Sequence, residues 1–370
     1  MKGIKNATYD RGTVKIQFDK DQIVEFECIW LRDHCRCSSC YRFDTFQRIV
    51  HLMDVPDTLI ADIKFDEDHL YITWDDNHSS VYEADFLMKF DYKTWIEKRK
   101  HKPKLWRGEE IAEKIARVQF KEFLNSTDKA RTAFQSLLDY GVAIVEDVEP
   151  TLAATEKVCN ALGGVQHTMF GGMWLVHNKF DHADTAYTTI SLAAHTDNTY
   201  FTEAAGLQIF QCLEHINVNG GDTILVDGFY GAQRLKEDFP EDYKFLTTFE
   251  LDAEYREEGH HHRYSAPVIT LDKMEEVKQI RFNVYDRTPM AFSSREECKA
   301  YYRSLKNLSK YYEDENNRWQ LKLKPGTVIA IDNFRVLHGR KSFTGNRVLC
   351  GSYISRTDWL DKARTLGLIE

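Results

Sequence analysis

The step His195-Thr196-Asp197 is the part of this sequence best suited to gripping a metal ion. In an extended segment residues i and i+2 point the same way, so one imidazole and one carboxylate can reach one ion. A third ligand must come from elsewhere. His338, in IDNFRVLHGR just past the apolar run TVIAIDN, is the candidate. Two histidines and a carboxylate on one face of a metal leave positions open, the arrangement of non-haem iron(II) oxygenases. The His-x-Asp step alone is weak, because a polar turn with one exposed His is commoner. Arg347, nine residues after His338, strengthens it. A 2-oxoglutarate bound to iron through its keto acid end leaves a distal carboxylate, and a guanidinium fork is the natural clamp for that group. Arg347 and Tyr353, an even number apart in RVLCGSY, share a face if that stretch is a strand.

A second cluster lies near the N-terminus. WLRDHCRCSSCY brings Cys35, Cys37 and Cys40 within six residues, out of eight cysteines in the chain. With no secretory signal visible, such spacing reads as a metal site rather than disulfides. Three thiolates and one further ligand would close a structural zinc site. His34, His51 and His78 are available; His34 abuts Cys35 and would strain the chelate. His260-His261-His262 reads instead as a solvated loop in YREEGHHHRYS.

These residues need elements to hold them. Residues 13–30 alternate as strands, and HLYITW and SSVYEADF bracket a turn at Asp75-Asp76-Asn77-His78. KRKHKPK, residues 98–104, reads as a linker. Beyond it, 127–140 and 151–162 carry helical periodicity, each ending at glycine. From 186 onward short strands dominate, interrupted by helices near 229–238 and 294–312. Many short strands with turn signals indicate a sandwich or barrel, here a jelly roll buttressed by helices on one face.

The segments DTAYTTISLAAHTDNTYF, GGDTILVDGFY and FRVLHGRKSFTGNRVLCGSYISR resemble the γ-butyrobetaine/trimethyllysine dioxygenase family. The resemblance runs over nearly the whole chain, cysteine cluster included. The end, ARTLGLIE, is similar to the trimethyllysine members, whereas Cys37 follows the butyrobetaine pattern. The resemblance implies a mainly β fold with flanking helices: a double-stranded β-helix (jelly roll) catalytic domain over residues 101–370 and a small N-terminal zinc-binding β domain over 1–100. It assigns iron(II) to His195, Asp197 and His338, 2-oxoglutarate to Arg347, and structural zinc to Cys35, Cys37, Cys40 and His78. The implied reaction couples decarboxylation of 2-oxoglutarate to hydroxylation of an unactivated C–H bond by dioxygen, with ascorbate as reductant. For trimethyllysine this is the first step of carnitine biosynthesis.

The same resemblance maps an aromatic cage for a trimethylammonium group onto Trp174, Tyr187 and Tyr353, with Phe170 where the family usually has Tyr. Core packing is the ordinary role of any one such ring. Asn283 maps to a polar substrate contact, and Asp184 falls where butyrobetaine enzymes carry Asn. An Asp there would attract the α-ammonium of trimethyllysine and repel a bare carboxylate.

Net charge of −9 without a basic stretch argues against nucleic acid. No run of 18 apolar residues argues for a membrane span. The family implies a homodimer and, for its animal members, mitochondria; the visible N-terminus has no transit-peptide character, which suits the cytoplasm. Three other readings fit parts of the pattern: a γ-butyrobetaine dioxygenase, a zinc hydrolase on the same ligands, and a non-enzymatic betaine-binding jelly roll.

Overall fold

The computed structural model describes residues 3–19, 22–57, 59–92, 95, 102–177 and 185–370. The chain divides into two compact units, 1–101 and 102–370. Much of the stretch read as a linker, and Asp184, lie outside the described residues.

The first unit holds two three-stranded antiparallel sheets. One is Asn6–Asp10, Thr13–Asp19 and Gln22–Glu27; the other is Ile60–Phe65, His69–Trp74 and Ser79–Glu83. Strict alternation sends Val14, Ile16 and Phe18 from one sheet, and Leu70, Ile72 and Trp74 from the other, into a shared core. The turn between His69–Trp74 and Ser79–Glu83 places Asn77 at φ 66° and presents His78.

The second unit is a double-stranded β-helix. Its six-stranded sheet runs in the order Met173–Val176, Phe343–Ile354, Leu207–Gly220, Thr327–Asp332, Val142–Glu146, Ala116–Gln119. The four-stranded sheet is ordered Leu192–His195, Val336–Arg340, Thr223–Asp227, Arg318–Leu321. Val142, Ile144, Ile329 and Ile331 of the first sheet meet Leu225 and Val336 of the second in one apolar layer. The alternate residues Ala143, Val145, Val328 and Ala330 point out, onto the helices Thr127–Tyr140, Leu152–Leu162 and Arg356–Thr365. A strand buried on both faces reads as a continuous apolar run, which is why VAIVE does not alternate with polar residues. Gly141, at φ +76°, ends the first of these helices and turns the chain into that strand.

Helices cover both sheets, not one as the sequence suggests. Gly228–Asp238, Pro240–Thr248 and Arg295–Glu313 pack on Ile224, Val226 and Leu337, the outer face of the four-stranded sheet. Pro240 begins the additional helix at its first position, where a missing N–H costs nothing. The histidine run is also not a loop. His260–Pro267 is a strand paired with Glu250–Glu257, turned by Gly259 at φ +80°. His260 and His262 share one face of that hairpin, and His261 lies 2.8 Å from Glu254 Oε1.

Candidate active site

His195 ends the Leu192–His195 strand, and in the ladder it stands directly opposite His338. The strand Val336–Arg340 is central, so Leu225 flanks His338 on its other side. Sheet register thus brings the two imidazoles together, their ring centroids 4.6 Å apart. Asp197 follows two residues on, and its Oδ1 lies 3.3 Å from His195 Nε2 and 3.5 Å from His338 Nε2. The three ligand atoms lie within 4.8 Å of one another. Two ligands each about 2.1 Å from an ion and at right angles would stand about 3 Å apart, so one ion fits.

The chain just past the strand is fixed by partners that sequence reasoning missed. Asn333, 1% exposed, accepts from the Asp197 N–H at 2.8 Å and donates to the Asp197 carbonyl at 3.0 Å. Thr196 points the other way and exchanges hydrogen bonds with Phe282. The Tyr353 hydroxyl donates to Asp197 Oδ2 at 3.0 Å, fixing the carboxylate plane. His195 Nδ1 donates to the Ala193 carbonyl at 2.8 Å, leaving the Nε2 lone pair for a cation. Burial works against ionising Asp197, but His338, His195 and the Tyr353 hydroxyl outweigh it and hold the carboxyl at about 2. Burial drives His338 down to about 4, so its ring is neutral at pH 7. Burial works against protonating His195, but the Asp197 carboxylate outweighs it and raises that ring, so a cation there binds in competition with a proton; a carboxylate and two imidazoles are the donor set a divalent cation takes.

All three residues line one cavity with about 1000 Å³ of atom-free space, including its mouth. Arg347 and Tyr353 line it too, on the same face of the Phe343–Ile354 strand as their spacing requires. Arg347 is 4% exposed, and its Nη1 has no hydrogen-bond partner. Burial disfavours its charge, with Cys212 and Asp222 acting in the opposite sense. Gly221 lies against it, where a Cβ would stand 3.4 Å from Nη1. A buried cation with an idle donor is a fitted seat for an anion.

Phe170, Trp174 and Tyr187 line the same cavity, joined by Tyr200 and Phe210, which the sequence did not single out. The Trp174 ring lies 5.6 Å from that of Tyr353. Gly351 makes room for it, since a Cβ there would collide with Trp174 Cη2. Asn283 also lines the cavity, with its amide engaged: Nδ2 donates to Asp286 Oδ2 at 2.7 Å and Oδ1 accepts from the Tyr285 N–H at 2.9 Å. Arg340 donates to the carbonyls of Thr185, Ala186, Thr188 and Ile190, tying the segment that carries Tyr187 to the strand that carries His338.

Residues 102–353 match the model of the "Taurine catabolism dioxygenase TauD, TfdA family", and residues 5–88 match "Gamma-butyrobetaine hydroxylase-like, N-terminal". A trimethyllysine dioxygenase of Bos taurus is 39% identical over 94% of this chain and 84% of its own length. The chain belongs to the γ-butyrobetaine/trimethyllysine dioxygenase family. A human γ-butyrobetaine dioxygenase is more distant, 28% identical over 92% of this chain and 90% of its own. The crystal structure of a Burkholderia xenovorans taurine dioxygenase superposes with a TM-score of 0.51 at 15% identity, covering 69% of this chain and 89% of that one, and shares the fold. By family and fold the chain is a 2-oxoglutarate-dependent dioxygenase.

In the first unit, Cys35, Cys37, Cys40 and His78 converge, their ligand atoms within 4.8 Å of one another. His78 Nε2 lies 3.3, 3.7 and 3.7 Å from the three sulfurs in turn. The N-to-S edge of a tetrahedral zinc site is about 3.6 Å, given bonds of about 2.0 and 2.3 Å. His34 is committed elsewhere, stacked on Trp30 with Nδ1 at the Trp30 carbonyl. Arg32, buried, donates to Cys40 Sγ at 3.6 Å and balances the thiolates. Purified chain should carry one tightly held zinc in this unit by elemental analysis. Cys40→Ser should lose it and leave residues 1–101 open to limited proteolysis, because a site of this kind contributes folding energy outright.

Proposed function

We propose that this protein hydroxylates N6,N6,N6-trimethyllysine at carbon 3, using iron(II), 2-oxoglutarate and dioxygen. The observation that carries the reading is one cavity with a His-Asp-His cation site, a buried arginine with an idle donor, and an aromatic wall. His195, Asp197 and His338 would hold iron(II). Arg347 would clamp the distal carboxylate of 2-oxoglutarate, which turns its unpaired buried donor into a charge-assisted pair. When bound, iron(II) with 2-oxoglutarate and dioxygen supplies the oxidising power that converts C–H to C–OH.

The chain's own residues do the positioning. Asn333 and Tyr353 hold Asp197 in one orientation. Trp174, Tyr187 and the ring of Tyr353 would receive the trimethylammonium group, which cannot donate hydrogen bonds and is attracted by aromatic faces. The burial of Trp174, Tyr187 and Tyr353 keeps bulk water from the reacting carbon. The four-carbon stem would span from that wall toward the segment carrying Asn283.

A zinc hydrolase would leave the Arg347 donor without a task, and a binding module would not need the ion-fitted triad. The 39% against 28% identity supports trimethyllysine over γ-butyrobetaine. Ascorbate is proposed as the reductant that restores iron(II), and a homodimer as the assembly. The animal relatives carry "mitochondrial" in their names, which supports that compartment here. Among the described residues, no helix is long and apolar enough to cross a membrane.

The test is direct. Purified protein is incubated with iron(II), ascorbate and 2-oxoglutarate, with trimethyllysine or γ-butyrobetaine, and succinate and hydroxylated product are followed by mass spectrometry. Trimethyllysine should give both in equal amounts. Substrate-independent succinate, or none, with either compound would overturn the assignment.

A further inference from the structure

Three side-chain amides line the described part of the cavity: Asn198, Gln208 and Asn283. Asn283 is engaged at both ends, by Asp286 and by the Tyr285 N–H. Asn198 and Gln208 are 2% and 0% exposed, and neither end of either amide has a hydrogen-bond partner. A buried donor or acceptor left unpaired is costly, so such groups are as a rule satisfied within the protein or kept for a ligand. Gln208 stands opposite Tyr353 in the ladder and belongs to the aromatic wall. Asn198 follows Asp197 directly and stands beside the cation site.

The turn that carries Asn198 is held through its backbone, which leaves the side chain free. Asn198 is left-handed, at φ 58°, and its carbonyl accepts from the Phe201 N–H at 3.0 Å. Arg281, 8% exposed, donates to the carbonyls of Thr199, Phe201 and Thr202 at 3.1, 2.8 and 3.0 Å. On the other side, Asn333 grips the Asp197 N–H and carbonyl. Asparagine tolerates a left-handed backbone because its side chain can bond locally, but here the amide makes no such bond. Thr199, the next residue, and Asn283 donate to the same oxygen, Asp286 Oδ2, at 3.3 and 2.7 Å, so the turn lies against the Asn283 segment.

We propose that Asn198 is a specificity-determining residue that binds the α-amino-acid head group, its Nδ2 donating to the carboxylate and its Oδ1 accepting from the α-ammonium. This role rests on the hydroxylase reading above and names the end of the substrate that the cation site selects. Carbon 3 must come up to the ion that Asp197 helps to hold, and both charged groups are carried by its neighbour, carbon 2. They therefore arrive next to the cation site, while the trimethylammonium group reaches the aromatic wall at the far end of the stem. A carboxamide presents a donor and an acceptor side by side, and an α-amino acid presents an acceptor and a donor side by side. A betaine with a carboxylate alone meets the donor and leaves the acceptor idle.

The test is Asn198→Gly, which removes the amide and keeps the left-handed turn, a conformation glycine adopts without strain. The substrates compared are trimethyllysine and 6-(trimethylammonio)hexanoate, which has the same chain and carboxylate but no α-ammonium. The intact enzyme should favour trimethyllysine by more than about 10-fold in kcat/KM, the scale of one hydrogen bond to a charged group. The glycine variant should lose about 10- to 100-fold in kcat/KM for trimethyllysine, mostly through KM, and its preference should shrink about 10-fold. The KM for 2-oxoglutarate should hold. An equal fall for both compounds would mean a structural role, and a rise in the 2-oxoglutarate KM instead would put the amide on the co-substrate. Either result overturns the assignment while the hydroxylase reading stands. Should the variant fail to fold, equal use of the two compounds by the intact enzyme overturns the assignment as well, and a preference of the stated size supports it. An intact enzyme that uses neither compound overturns the hydroxylase reading, and this inference with it.

Discussion

Asp197→Ala is expected to remove turnover, on the order of 10³-fold or more, without unfolding the protein. The carboxylate is the sole anion in the triad and touches both imidazoles. Without it, the two imidazoles alone would hold a divalent ion weakly. Stability should move little. Asp197 is half-buried, its side chain 18% exposed, and alanine leaves the Tyr353 hydroxyl without its acceptor, a cost of about 1 kcal/mol. The measurement that separates the two effects is thermal unfolding with and without manganese(II), which replaces iron without oxidising. Native apo-protein should gain stability on adding the ion, by mass action, and the variant should not. A variant that still gains as much would show that the ion sits elsewhere.

Much of this site could be read from the chain because its geometry is local or periodic. His195 and Asp197 meet through the two-residue period of a strand, and Arg347 and Tyr353 share the cavity for the same reason. The fold class was legible from many short strands. What escaped depends on pairing between distant segments. That His195 stands opposite His338 is a fact of register, invisible until two strands are paired. Asn333 is an ordinary loop residue by sequence, and only folding puts its amide on the Asp197 backbone. Asp286 looks like a solvated turn acid in RFNVYD, and its place in the cavity comes from the Thr196–Phe282 exchange that pins the segment. The histidine run misled in the other direction, because its polar side chains hide a strand paired outside the two main sheets.

Arg347→Met should abolish turnover at ordinary 2-oxoglutarate concentrations and leave the empty protein at least as stable. The two halves of this expectation follow from one observation: the guanidinium is 4% exposed and its Nη1 is unpartnered. In the empty protein it is a desolvated charge with an idle donor, and a methionine of similar length would fill the same space without that cost. In the bound protein the same donor meets a carboxylate. Removing one partner of a buried, hydrogen-bonded charge pair costs roughly 2–5 kcal/mol, or about 30- to 5000-fold in affinity. The KM for 2-oxoglutarate should rise into that range while the KM for trimethyllysine changes far less. Arg347→Lys should recover only part of the loss, since an ammonium cannot present two parallel donors. Thermal unfolding of the empty variant checks the first half, and 2-oxoglutarate titration of turnover checks the second. A variant markedly less stable than the parent, with KM for both substrates raised alike, would make Arg347 a core residue and not a clamp. The combination expected instead, stability kept and one KM lost, identifies a residue whose charge is maintained for a ligand and not for the fold.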